Sequence, residues 1–290
     1  MWTIAKLSFK EIILKRIFFI TLLMTFAFLI FYGVAVRYAA KEIITEGPRA
    51  VSGVNQFMRN SFFSTQLLGV GLYFSSFITA LLAILSSVGS IANEIESHQI
   101  DTWLTRPISR FTFLLGKWVG LCCLLVVYAT FLFISIILIH QMVGGSAFHL
   151  EFSVMQVMQA LGLFLLQPVI LISIAILLST RMATLNAGIV LIILYGIGFI
   201  GGFVEQIGTL MHKDTLVNMG IISSLFFPID AMYRKMTIYL FDTTDNPLSL
   251  ASQGLFGSVS APSNMMIGYG IVYLLVAILL AVQTFKTRDL

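Results

Sequence analysis

The residues of this chain that have the chemistry to bind or react are concentrated between Ile91 and Gly120. Glu94, Glu96, His98, Asp101, Arg106, Arg110 and Lys117 all fall there, between two long apolar runs. On a helix, Glu94, His98 and Asp101 form one polar line, spaced i, i+4 and i+3. Ile100, Trp103 and Leu104 make an apolar patch beside it. That is the chemistry of a contact surface, placed where a membrane part meets something in the cytoplasm. The residues alone also allow a plainer reading, an interfacial linker with no partner. A helix here is expected to stop before Pro107, because the residue preceding proline is biased away from helical backbone. Ser109 is then positioned to cap the next helix.

Catalytic chemistry finds no support. His98, His140, His149 and His212 are scattered over separate connections and span ends without metal-ligand spacing. Cys122 and Cys123 are adjacent inside an apolar run, where thiols pack as small apolar groups rather than as a disulfide or metal pair. No phosphate-cradling glycine loop, GxSxG or HExxH is present. We expect no catalytic, cofactor-binding or metal-binding residue in this chain.

The elements that must hold the polar stretch follow from composition. Of 290 residues, 58% are hydrophobic and 10% charged, whereas soluble domains carry about 25% charged residues. Such a chain cannot cover a soluble surface, so it is read as an all-α integral membrane protein. The net charge of +4 is spread over span ends and points to headgroups, not nucleic acid. The start does not resemble a cleavable signal peptide, since no small-residue cleavage site follows its apolar run. Residues 2–16 instead read as an interfacial helix, with Lys6, Lys10, Lys15 and Arg16 toward anionic headgroups. A cytoplasmic extension of the first span is the alternative.

Six apolar runs are long enough to cross a bilayer: about 17–36, 67–92, 111–140, 154–180, 185–203 and 265–285. Pro168 should kink the fourth. Residues 204–264 form a long, semi-polar external segment; within it 216–227 is too short to cross alone, and Pro228 starts a further helix. Placing both termini in the cytoplasm puts ten of the 17 basic residues there. The inner parts of these spans lack Asp, Glu, Lys and Arg, which argues against a carrier with an acidic relay. Sodium sites built from backbone carbonyls escape that test. Lys117 lies near the cytoplasmic end of the third span, where a long side chain can snorkel.

The polar stretch resembles the segment after the second span of type-2 ABC transporter permeases. Members often read Glu-x-Glu-x-Gly-Thr, an apolar pair, Pro-x-Ser-Arg and Leu-Gly-Lys. Here these are Glu94 and Glu96, Trp103-Leu104, Pro107-Ile108-Ser109-Arg110 and Leu115-Gly116-Lys117, with His98-Gln99 in place of Gly-Thr. FKEIILKRIFFI resembles the family's entry helix, and LFFPIDAMYR resembles its segment before the last span. The resemblance implies one transmembrane domain with a cytoplasmic coupling helix, about 91–105, between spans two and three. It implies two copies of a separate ATP-binding subunit, which would hold ATP and Mg, and a second permease half, identical or homologous, in the cytoplasmic membrane of a prokaryote.

On that basis Glu94, Glu96, His98, Asp101 and Arg106 would orient the ATPase and Trp103 would anchor it. Pro107, Ser109, Arg110 and Lys117 would pass the motion into span three. Spans two and five would line the path, with Ser75, Ser76, Ser86, Asn186 and Tyr195 on it. The implied function is ATP-driven export of a lipid-like, peptide or drug cargo. An ion-coupled carrier or channel and a membrane scaffold subunit of a non-exporting complex remain the competing readings.

Overall fold

A computed structural model describes residues 1–46, 53–97, 109–145, 148, 150, 152–241 and 260–287. All regular structure among the described residues is helical. The helices are α1 (Trp2–Leu14), α2 (Arg16–Glu46), α3 (Gly53–Ser87), α4 (Gly89–Glu96), α5 (Arg110–Gly144), α6 (Val154–Ser179), α7 (Thr184–Leu210), α8 (Asp214–Phe226), α9 (Ile229–Phe241) and α10 (Met265–Thr287). Six spans are long and apolar enough to cross a membrane, as the apolar runs predict. The second joins α3 to α4 through Val88, whose backbone stays helical (φ −58°, ψ −42°).

Helices answer the demand of a medium without water, in which each backbone N–H and C=O must be satisfied within the protein. Hydroxyls inside the bundle follow the same rule. Thr25, Ser75, Thr79, Thr130 and Ser173 each donate to the carbonyl four residues back, at 2.7–2.8 Å. The second and fourth spans form the centre: 67% and 61% of their apolar windows are buried, against 22–39% for the others. Leu72, Leu82, Leu171 and Ile176 fill the space between them, and Phe133 of α5 packs on Phe164 of α6 with ring centroids 5.3 Å apart. At Pro168, where a helical hydrogen bond is lost, the neighbouring Gln167 turns its amide oxygen to the Ser76 hydroxyl of α3.

Two expectations need correction beyond the fifth apolar run. First, α7 does not stop at Phe203. It runs on to Leu210 and carries Glu205 into the protein. Second, Arg234 and Lys235 lie on a helix that starts after Pro228, as expected, but that helix is enclosed by the protein and is not part of a semi-polar outer segment. α8 and α9 meet at 106° around Phe227 and Pro228, and α9 is buried along nearly its whole length, with Arg234 1% and Lys235 5% exposed. The apolar-run reading failed because Glu205 and Arg234 neutralise one another, and that pairing joins residues 29 positions apart.

The far end of the first three spans is closed by a buried polar cluster. His140 is fully enclosed and bonded through both ring nitrogens, to the Tyr32 and Ser64 hydroxyls, each at 2.9 Å. Phe148 stacks on the imidazole at 6.0 Å.

Candidate coupling site

α1 lies across the opposite end of the bundle. Ile4, Ala5, Ser8 and Ile12 face inward, while Lys6, Lys10 and Arg16 are exposed. The approach to α5 is close because α5 offers two glycines four apart. A Cβ on Gly120 would stand 2.5 Å from the Ala5 carbonyl oxygen, and one on Gly116 would stand 2.8 Å from Ile4 Cβ. Lys15, in extended backbone, separates α1 from α2.

A line of alternating charges ties α1, α5 and α4 together. Lys15 pairs with Glu11 at 2.8 Å, and Glu11 with Lys117 at 3.3 Å. Lys117 in turn pairs with Glu94 through a very short contact. The expectation that Lys117 snorkels to the surface is corrected: its side chain is 2% exposed, with the ammonium turned inward and 5.8 Å from the centre of the Phe113 ring. Apolar neighbours favour this geometry, because a buried ammonium must be matched by carboxylates. Burial alone would raise the Glu11 carboxyl, but the Lys117 and Lys15 ammoniums outweigh it and hold Glu11 below its ordinary value.

α4 is held from two further sides. The Ser179 hydroxyl of α6 accepts from the Ile91 and Ala92 N–H groups at 3.3 and 2.8 Å. Glu96 accepts from the Thr184 N–H at 2.8 Å, and Asn93 from the Thr184 hydroxyl at 2.6 Å. Thr184 opens α7, whose preceding residue, Ala183, has no side chain to cap it. A carboxylate from another helix therefore satisfies that end and complements its dipole. Ser97 closes α4 by donating its hydroxyl to the Asn93 carbonyl at 2.6 Å.

Beyond the break, Ser109 caps α5, accepting from the Thr112 N–H at 3.2 Å. Arg110 reaches the last turn of α10, donating to the Phe285 and Lys286 carbonyls at 3.3 and 3.2 Å. Phe113 stacks on Phe285. The first and last helices of the chain thus both pack on the opening turns of α5.

Of the residues singled out from the sequence, the structure brings Glu94, Glu96, Ser109, Arg110, Lys117 and Lys15 into this junction. His98, Asp101, Trp103, Arg106 and Pro107, which include most of the expected coupling helix, lie outside the described residues. Ser75 and Ser86 turn back to carbonyls of their own helix. Ser76 and Tyr195 border a small cavity between α3, α7 and α9, and Asn186 is exposed on α7. Sequence reasoning passed over Glu11, Asn93, Ser179 and Thr184, whose partners on other spans lie 87 or more positions away. Gly116 and Gly120 did carry a signal, the four-residue spacing of small residues that marks close helix approach.

α4 is the end of the second span, fixed by charge and hydrogen bonds to α5, α6 and α7, and linked to α1 through Lys117. It leads straight into residues 98–108. An open groove of about 670 Å³ lies beside it, lined by Leu7, Asn93, Ser97 and the three carboxylates Glu11, Glu94 and Glu96. No curated protein matches the chain. Over residues 2–290 it matches the family described as ABC-2 family transporter protein, and this multi-pass membrane protein belongs to that family.

Proposed function

We propose that the chain is the transmembrane permease subunit of an ATP-driven ABC exporter. Two copies of a separate ATP-binding subunit hold ATP and Mg and perform the hydrolysis. Two permease halves, identical or homologous, enclose the path. The observation that carries this reading is the anchoring of α4. Glu94 to Lys117, the Ser179 hydroxyl to the α4 N–H groups, and Thr184 to Glu96 and Asn93 join α4, which precedes residues 98–108, to three helices. A push by the partner on Asp101, Trp103 or Arg106 then reaches the third, fourth and fifth spans through α4.

The roles divide accordingly. Residues 98–106 contact the ATPase, with Trp103 as the apolar anchor and His98, Asp101 and Arg106 setting orientation. Glu94 and Glu96 hold the lever to the bundle and do not meet the partner directly. Pro107 ends the lever, while Ser109 and Arg110 start α5 and tie it to the end of α10. Lys6, Lys10 and Arg16 rest on the headgroups. Among the path residues, Ser76 and Tyr195 sit at a cavity.

The test is reconstitution of the chain with its ATPase in proteoliposomes, comparing the native protein with Asp101→Lys/Trp103→Ala. The double variant should keep its fold and lose ATP-driven cargo movement and cargo-stimulated hydrolysis together. Undiminished transport by that variant, or transport by the chain alone on an ion gradient, would sink the assignment.

A further inference from the structure

Between α3, α7 and α9 lies a cavity of about 20 Å³, room for one water-sized group. Its walls are aromatic. The rings of Tyr73 and Tyr233 stand at 79° with centroids 5.0 Å apart, forming a corner. Phe199 adds a third face 5.7 Å from Tyr73, and Tyr195 a fourth. The polar atoms in this lining come from Ser76, Asp230 and the tyrosine hydroxyls. Tyr73, Tyr195 and Phe199 are half-buried, so the cavity is not sealed on the side that they line. The Ser76 hydroxyl donates to Gln167 and keeps its lone pairs for another donor.

The charge around this cavity does not balance. Arg234 makes a two-pronged contact with Glu205, Nη1 to Oε1 at 2.8 Å and Nη2 to Oε2 at 2.7 Å. Ser260 adds a third bond to Glu205 at 2.6 Å. Asp230 receives one bond from the same guanidinium, Nε to Oδ2 at 2.9 Å. Among the described residues, two buried carboxylates therefore share one cation. Lys235, the next residue, turns away to the Pro262 carbonyl at 2.9 Å and the Tyr239 ring at 5.2 Å. The arrangement is also built in: a Cβ on Gly202 would overlap the Asp230 carboxylate, so α7 has no side chain at the point where Asp230 is seated.

We infer that this cavity binds the primary ammonium head of an amphipathic amine, with the amine's apolar tail leaving past the half-buried Tyr195 and Phe199. An –NH3⁺ group is the size of a water and offers three donors. Here it meets one under-compensated carboxylate, the free lone pairs of Ser76, and the negative faces of aromatic rings, which attract cations. A trimethylammonium head has no donors and is several times too large. An anion is rejected by Asp230, and a neutral alcohol leaves the charge unmatched. The inference names a cargo class for the path proposed above and rests on that reading.

The test uses the purified full chain in lipid nanodiscs with radiolabelled dodecylamine, read as saturable binding above that of empty nanodiscs. Dodecylamine should bind saturably and be displaced by unlabelled dodecylamine, but not by dodecanol or dodecyltrimethylammonium. Tyr195→Leu leaves the Asp230–Arg234 pair intact, and Asp230→Asn keeps the shape; each should weaken binding by roughly tenfold to a hundredfold, the range for losing one interaction to a charged group. Equal displacement by dodecanol, unchanged binding in a folded Tyr195→Leu, or displacement by sodium chloride as effective as by methylammonium chloride at equal ionic strength would each overturn the inference. The assay contains neither ATPase nor ATP. Failure here removes the cargo class and leaves ATP coupling standing; intact binding with no ATP-driven transport does the reverse.

Discussion

Lys117→Met cuts the charge line that holds α4 to the bundle. The ammonium it removes is almost fully enclosed and is the partner of Glu94, whose side chain is 12% exposed. The second Glu94 oxygen, Oε2, is buried and has no hydrogen-bond partner among the described residues. Removing one member of a buried pair costs about 3–5 kcal/mol, because the other is left charged and unmatched. Glu94 can escape part of that by taking up a proton, which places the expected loss at the lower end, about 3 kcal/mol. Glu11 adds little to this figure, since its side chain is 38% exposed and water screens it once Lys117 is gone. The assay is thermal or denaturant unfolding in nanodiscs, followed by the fluorescence of Trp118, whose indole N–H bonds Ser173 one turn from the site. The discriminating measurement is a double-mutant cycle. Glu94→Leu/Lys117→Met removes both charges, and replacing a buried pair by apolar side chains is often neutral, so the double variant should recover to within about 1 kcal/mol of the native protein. It should still transport poorly, because the tie from α4 to α5 is gone. A single variant as stable as the native protein, or a double variant no better than the single, would refute the argument.

Gly120→Val should displace α1, because the new Cβ meets a backbone carbonyl that has no freedom to move aside; a cysteine at the buried Ser8 position would then react with a thiol reagent that leaves it untouched in the native background. Acid should loosen the same contact. Since the folded Glu11 carboxyl is held below its ordinary value, its contribution is complete above the unfolded carboxylate value and disappears as pH falls through the folded one; Glu11→Gln should flatten that acid limb of an unfolding-versus-pH curve and leave the neutral region unchanged in slope. Topology is checked with single cysteines at Ser97 and Lys213 in a background lacking Cys122 and Cys123. α7 runs from Thr184, beside Glu96, to Leu210, a distance of about 40 Å at helical rise, so the two should be labelled from opposite faces of the membrane; labelling from one face would break the six-span arrangement.

The helices were legible in the sequence because their signal is local. Twenty uncharged apolar residues in a row have one stable form in a bilayer, and capping residues such as Ser109 mark where it begins. The polar stretch at 91–117 was legible as a site because charges are conspicuous in so apolar a chain. Its internal pairing was not. Glu94 and Lys117 read as surface groups, one for a partner and one for the headgroups, since the Gly116–Gly120 spacing marks a close approach without showing that α1 is the helix that approaches and that its Glu11 completes the line. The same blindness affected Arg234, which counts as a basic residue of the external segment until Glu205 is seen beside it.

Composition and periodicity thus determined by themselves that the chain is a helical membrane protein of six spans with one polar stretch suited to contact, because both follow from how each segment partitions between water and lipid. Which charges of that stretch are turned inward, as Glu94 and Lys117 are, was decided only by the tertiary structure. A carboxylate on an apolar helix is tolerable at the surface or beside a buried cation, and the choice depends on what a distant helix presents at that point.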